Sequence, residues 1–298
     1  MKIKDIFLAV IVAFIWGINF VVIKIGLDSF PPLLFTSLRF LFAAFPIIFF
    51  VRRDKIGWKW IISIGIFLGI ITFGLLFVGM YEGVSSGLSS IILQVQVPFT
   101  IILSILLLKN KPTVVQLIGI ILAFCGIGLL VYTNYQSSTV VGLVLIVVAG
   151  FSWAIANLLM KLAGKIDMFK LIVWISIVPP IPLFLLSLFF EKGQMEAITH
   201  ISILGIGSIL FVSWISTIFA FSIWGKLLSK YQAQQVTPFA LLVPIFGIIA
   251  GNILLQEKLD TVEIIACEFV FLGLLIIVLN SKLTNMIKKS ILAKELNG

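Results

Sequence analysis

The chain has 298 residues, 61% of them apolar and 11% charged, with a formal charge of +9. Soluble domains hold about a quarter charged residues and about half apolar ones, so water is excluded as the main solvent. The positive charge does not indicate nucleic acid, because Lys and Arg stand in short clusters between apolar runs rather than on one soluble face.

Taken in order, the apolar runs span 6–26, 32–51, 58–79, 86–108, 114–132, 141–161, 170–190, 202–224, 233–255 and 262–280. Runs of about twenty residues match the hydrocarbon thickness of a bilayer. In hydrocarbon every backbone amide needs an internal partner, which leaves helices or closed barrels, and uninterrupted runs lack the alternation of barrel strands. The expected class is an all-α polytopic membrane protein with ten transmembrane helices. The first run follows Lys2 and Lys4 as a signal peptide would, but no small-residue cleavage site follows it, so it is expected to stay. Connections are short, and the hydrophilic stretches are 191–200 and the tail from Ser281.

Lysine and arginine in short loops resist translocation and so report orientation. With the N-terminus inside, sixteen of them fall on the inner side and only Lys192 and Lys258 on the outer side, which places both termini in the cytoplasm. Internal similarity recurs at about half the chain length. Trp16 and Lys24 are matched by Trp153 and Lys161 at the same spacing, and the stretch from Asn110 aligns with that from Glu257 at an offset of 147, pairing Lys111 with Lys258 and Gly126 with Gly273. Because five spans is an odd number, the halves are expected to be inverted-topology repeats at 1–135 and 136–282, followed by a basic cytoplasmic tail at 283–298.

The segments WGINFVVIKIGL, PPLLFTSLRF, GLSSIILQVQ, FSWAIANLLMK, LLVPIFG and LLQEKL resemble the EamA family of the drug/metabolite transporter superfamily over nearly the whole chain. Within it the chain looks most like bacterial amino-acid-metabolite exporters of O-acetylserine and cysteine. That resemblance implies an inner-membrane exporter whose ten helices surround a central cavity. The family's acidic residue at the end of the fourth helix is Asn110 here, whereas Glu257 keeps its counterpart in the second half.

Ionisable residues within spans are costly and face a cavity or a partner. Arg39 and Glu268 lie several residues inside their spans, and Lys24 and Lys161 lie near span ends, where snorkelling to the interface is the alternative. Arg39 occupies the family's LRF position, with a buried structural or substrate role or interface snorkelling as readings. Trp16, Phe20 and Lys24, and Trp153, Asn157 and Lys161, are spaced by four and so form stripes on one helix face, serving as cavity wall or packing surface. Carboxamides facing lipid would leave donors unpaired, so Asn19, Gln94, Gln96 and Asn157 should point inward. For Gln94 and Gln96, two apart, this requires a distorted helix, and Pro98 supplies a cause. Pro244 is its counterpart, and paired helix breaks mark transporter sites or structural kinks.

Trp214, Ser216 and Thr217 offer an aromatic wall and hydroxyls, or ordinary packing. Glu268 is the candidate for proton coupling, with structural pairing as the alternative. His200 reads as a solvated loop residue. Cys125 and Cys267 lack CxxC spacing or a neighbouring histidine, so no disulfide, metal or cofactor is expected.

No convergent nucleophile, base or ligand set appears, so an enzyme is not expected. The expected function is an inner-membrane secondary transporter exporting small amino acids or their metabolites, with a small-molecule substrate and membrane lipid as partners and no nucleic acid. Its alternatives are transport of another small metabolite or drug-like compound, including import, and, in a different class, a channel or membrane-embedded enzyme.

Overall fold

The computed structural model describes residues 1–53, 56–109, 112–133, 139–164, 166–231 and 233–295, with side chains described to residue 279 except 108, 233 and 234. Lys55, Asn110, Lys111 and Lys165 lie outside the described residues, as do the side chains of Lys282, Lys288, Lys289 and Lys294. Among the described residues there are ten apolar helices long enough to cross a bilayer: α1 (Ile3–Leu27), α2 (Pro32–Phe50), α3 (Trp58–Tyr81), α4 (Ser86–Leu107), α5 (Val114–Thr133), α6 (Thr139–Leu162), α7 (Met168–Phe190), α8 (Ile203–Lys230), α9 (Thr237–Leu255) and α10 (Thr261–Leu279). Among the described residues there is no strand. The outer flanks carry Phe49, Phe50, Leu106, Ile121 and Phe189 fully or largely exposed, a surface that only lipid accommodates.

Two helix ends lie well beyond the sequence expectation. Helix α8 continues past residue 224 to Lys230, because Lys226 and Lys230 sit in its last turns, where a cation suits the helix C-terminus. The helix that opens at Thr261 runs on beyond its apolar part to Glu295.

Each half sends its first helix into the other half. Helix α1 packs against α8 and α9, whereas α6 packs against α3 and α4; α2 meets α7, and α5 meets α10. The α5–α10 contact shows why small residues are needed there. A Cβ on Gly119 would lie 2.7 Å from the Gly273 carbonyl oxygen, and one on Gly126 would lie 2.5 Å from that of Ala266. Backbone approach this close is how helices associate in lipid, where apolar burial supplies no drive.

The helices are irregular at matching places. Helix α3 contains a π-helical stretch at Gly65–Thr72 and α8 one at Phe211–Phe219, beginning 146 residues apart. Thr72 Oγ1 donates to the Phe67 carbonyl at 2.8 Å, and Thr217 Oγ1 donates to the Val212 carbonyl at 2.6 Å. Each hydroxyl reaches five residues back because the widened turn brings that carbonyl beneath it. Helices α4 and α9 tighten instead, to 3₁₀ geometry at Leu93–Val95 and Thr237–Leu241, each ending within a few residues before Pro98 or Pro244. A proline cannot donate to the carbonyl four residues earlier, so the preceding turn rearranges.

Candidate functional site

The carbonyls freed by these irregularities are taken by side chains from other helices. In α8 the Ala220 N–H reaches back to Ile215, which leaves Ser216 without its usual donor, and Trp16 Nε1 of α1 donates to the Ser216 carbonyl at 3.1 Å. The Trp16 ring packs on Phe221 and Trp224, with centroids 4.9 and 5.2 Å away. Pro46 cannot serve the Phe42 carbonyl, and Trp214 Nε1 fills that position at 2.9 Å. Trp214 is thereby held on the outer flank of α8, 43% exposed, joining α8 to α2 rather than walling an interior space. Pro244 likewise leaves the Ala240 carbonyl open, and Gln94 Nε2 donates to it at 3.2 Å.

Gln96, two residues on, points elsewhere. Its Oε1 accepts from Asn157 Nδ2 at 2.7 Å, and the same Nδ2 donates to Thr100 Oγ1 at 3.2 Å. Gln94 and Gln96 thus both find protein partners, on α9 and α6 respectively, on either side of the 3₁₀ turn.

Arg39 lies at the centre of a second group. Its side chain is 1% exposed, its Nε donates to Thr217 Oγ1 at 3.1 Å, and its Cζ stands 4.0 Å above the Phe73 ring. Phe40 and Phe77 complete the aromatic surround at 5.6 and 5.8 Å. Trp153 of α6 reaches the same place, its ring 5.8 Å from that of Phe73. Cation–π contact offsets part of the desolvation of a guanidinium but supplies no hydrogen-bond acceptor. Arg39 Nη1 has no partner, and neither do Asn19 Oδ1, Ser213 Oγ and Ser216 Oγ. Ser213, Ser216 and Thr217 are all buried in the π-helical stretch of α8, and Asn19 lies one turn along from Trp16, which holds Ser216. Among the described residues the other such orphan is Arg53 Nη1, in the loop after α2. Buried polar atoms are paired as a rule, so this concentration on α1, α2 and α8 is the strongest mark of a site.

The remaining sequence candidates separate. Lys24 Nζ donates to the Met80 carbonyl at 2.8 Å, near the C-terminus of α3. Lys161 is exposed at the end of α6. Glu268 is exposed on α10, whose buried face carries Ala266, Cys267, Val270 and Leu274. Of the two cysteines, Cys267 is buried and Cys125 is exposed. His200 is exposed, 3.1 Å from Thr199 Oγ1.

Two acids that sequence reasoning left without a structural role join the halves. Glu191, just beyond α7, accepts from the N–H groups of Leu33 and Leu34 at 2.7 and 3.2 Å. Pro31 and Pro32 have no N–H, so these are the first donors α2 offers. Glu257, just beyond α9, accepts from Ser86 N at 2.8 Å, Ser86 Oγ at 2.7 Å and Gly87 N at 3.2 Å. Both carboxylates sit where a helix N-terminus favours negative charge. At the other ends, Asp5 of α1 accepts from Lys230 Nζ at 2.8 Å and Tyr231 Oη at 2.6 Å. A cleft of about 600 Å³ lies beside Glu257, lined by Gly87, Ile248, Asn252, Ile253 and Ile264. It takes in none of the Arg39 group, which is buried.

Comparison with known proteins places this geometry. The profile of the EamA-like transporter family matches twice, at residues 3–132 and 140–279. A probable amino-acid metabolite efflux pump of Escherichia coli K12 is 34% identical, with 93% of this chain and 95% of that one covered. Its namesake in Salmonella typhimurium is 36% identical over the same shares. An uncharacterized transporter of Bacillus subtilis is 30% identical, with 85% of this chain and 89% of that one covered. One crystal structure covers 94% of this chain and 98% of its own at a TM-score of 0.57 and 13% identity, a likeness of fold alone.

Proposed function

The chain belongs to the EamA-like transporter family, and from that premise we propose that it is an inner-membrane secondary transporter that exports small amino acids or their metabolites by alternating access. The observation that carries this reading is the buried polar group of Asn19, Arg39, Ser213 and Ser216, whose unpaired atoms fit a small polar substrate. The matching distortions of α3 with α8 and α4 with α9 support it, because exchange of conformation between two similar halves is how inverted repeats open one site to each side. The reciprocal α5–α10 contacts, Gly119 with Gly273 and Gly126 with Ala266, fit halves related by inversion. The names of the enterobacterial relatives supply the substrate class and the direction.

In this reading Trp16, Asn19 and Arg39 with Ser216 and Thr217 form one wall, and Trp153 joins it through Phe73. Asn157 with Gln96 forms the opposite wall, and Lys24 and Lys161 stand towards the two exits. Glu191 and Glu257 hold the outer ends closed, and the Asp5–Lys230 pair holds the inner ends. Overexpression tests it: cysteine and O-acetylserine should accumulate in the medium faster than in cells carrying an empty vector. Unchanged medium levels with a well-expressed, folded protein would overturn the export reading.

A further inference from the structure

Resting on the transporter reading, we propose that the site selects its substrate by a carboxylate held by Arg39, with the substrate's nitrogen recognised only by neutral acceptors. The substrate class is then a small α-amino acid or its N-acyl derivative, not an amine, an amino-acid ester or another cation.

Three observations lead there. Arg39 is buried, bonded through Nε to a neutral hydroxyl and through its face to Phe73, and its Nη1 has no acceptor. A guanidinium stays charged in proteins and presents a fork of donors that matches a carboxylate. Among the described residues no carboxylate reaches it. Among the described spans the acids are Asp5, engaged with Lys230 and Tyr231, and Glu263 and Glu268; Glu263 is bonded to Asp260 at the start of α10 and Glu268 is exposed. A buried cation without a counter-charge is what an anionic substrate group would complete.

The second observation is complementary. Asn19 Oδ1 is an unpaired buried acceptor, one helical turn from Trp16, whose indole is bonded beside Thr217, the residue that holds Arg39. An acceptor on one side and a charged donor on the other fit the ammonium and the carboxylate of one amino acid. Their strengths differ, because Arg39 contributes a full charge whereas Asn19 contributes a dipole. The third is the face of Phe73, which is already taken by Arg39 and so is withheld from a substrate cation.

The test uses the full chain in proteoliposomes, with uptake of radiolabelled L-cysteine kept reduced and two competitors. N-acetyl-L-cysteine keeps the carboxylate and an N–H donor, and L-cysteine methyl ester keeps the ammonium alone. Losing a partner of a buried charge weakens binding at least about thirtyfold, whereas exchanging the ammonium's charge-assisted hydrogen bond to Asn19 for a neutral N–H one costs about tenfold. The ester should therefore compete at least about thirtyfold less well than cysteine, and the N-acetyl compound within about tenfold. In Arg39→Gln this discrimination should collapse to within about threefold, and Arg39→Lys should restore the order in part. The wild-type competition series decides the matter even if Arg39→Gln does not fold. Equal competition by the ester in the wild type would overturn the carboxylate assignment alone. Absence of saturable cysteine uptake would overturn the transport reading beneath it.

Discussion

The Gln94 carboxamide of α4 donates to the carbonyl of Ala240 in α9, the one carbonyl that Pro244 is unable to serve. One proline-broken helix thus repairs the other, and the bond crosses between the halves. Gln94→Leu should destabilise the protein by about 0.6–2 kcal/mol, the range for side-chain hydrogen bonds in membrane helices. In a Pro244→Ala background the alanine N–H can serve the same carbonyl, so there the cost should fall below about 0.5 kcal/mol. Unfolding of the four proteins of this cycle in mixed detergent micelles checks it; equal costs in both backgrounds would show that the bond does not compensate the proline.

Glu257 satisfies three donors at the start of α4, and Glu191 satisfies two at the start of α2. Losing a capping acceptor costs about 0.5–2 kcal/mol. Glu257→Ala and Glu191→Ala should each lower thermal stability in detergent by that amount, whereas Lys258→Ala next door should leave it unchanged. If Glu257→Ala melts with the wild type, the cap is not contributing.

Asn19 and Asn157 should respond differently. Asn157 bonds Gln96 and Thr100, so Asn157→Ala leaves those groups open and should cost about 1 kcal/mol of stability as well as apparent affinity. Asn19 Oδ1 has no protein partner, so Asn19→Ala should leave stability within about 0.5 kcal/mol while lowering apparent affinity by about two- to a hundredfold. Saturable uptake into inverted vesicles at matched protein level measures both. Normal affinity and maximal rate in the two variants would make these stripes packing surfaces.

Much of this architecture was legible in the sequence. The ten spans were, because hydrocarbon demands unbroken apolar helices and leaves a period no loop can imitate. The distortion at Gln94 and Gln96 was also legible, since Pro98 gives it a local cause. The π-helical stretches were not, because Gly65–Thr72 and Phe211–Phe219 hold no proline to announce a break. Nor was the role of Phe73, one of 27 phenylalanines, whose ring matters only because α3 carries it beneath Arg39. The capping roles of Glu191 and Glu257 were not legible, since their partners lie about 160–170 residues away. Glu268 drew notice for its depth along α10, but depth alone does not say which way a helix face turns.

With Glu268 exposed on α10, Glu268→Gln should keep the full dependence of transport on an imposed pH gradient. Loss of that dependence in a folded variant would return the residue to a coupling role.

A C-terminal reporter active only in the cytoplasm should be active, as the distribution of lysine and arginine requires. Activity of a periplasmic reporter at that end would remove the assignment of Asp5–Lys230 to the inner face.

The most direct test of alternating access is exchange. In proteoliposomes holding the purified chain, internal unlabelled cysteine should accelerate the entry of external labelled cysteine and produce a transient accumulation above equilibrium, because one site returns loaded faster than empty. Entry that is linear in concentration and indifferent to internal cysteine would mean an open pathway, and the buried Arg39 group would then not be a carrier site.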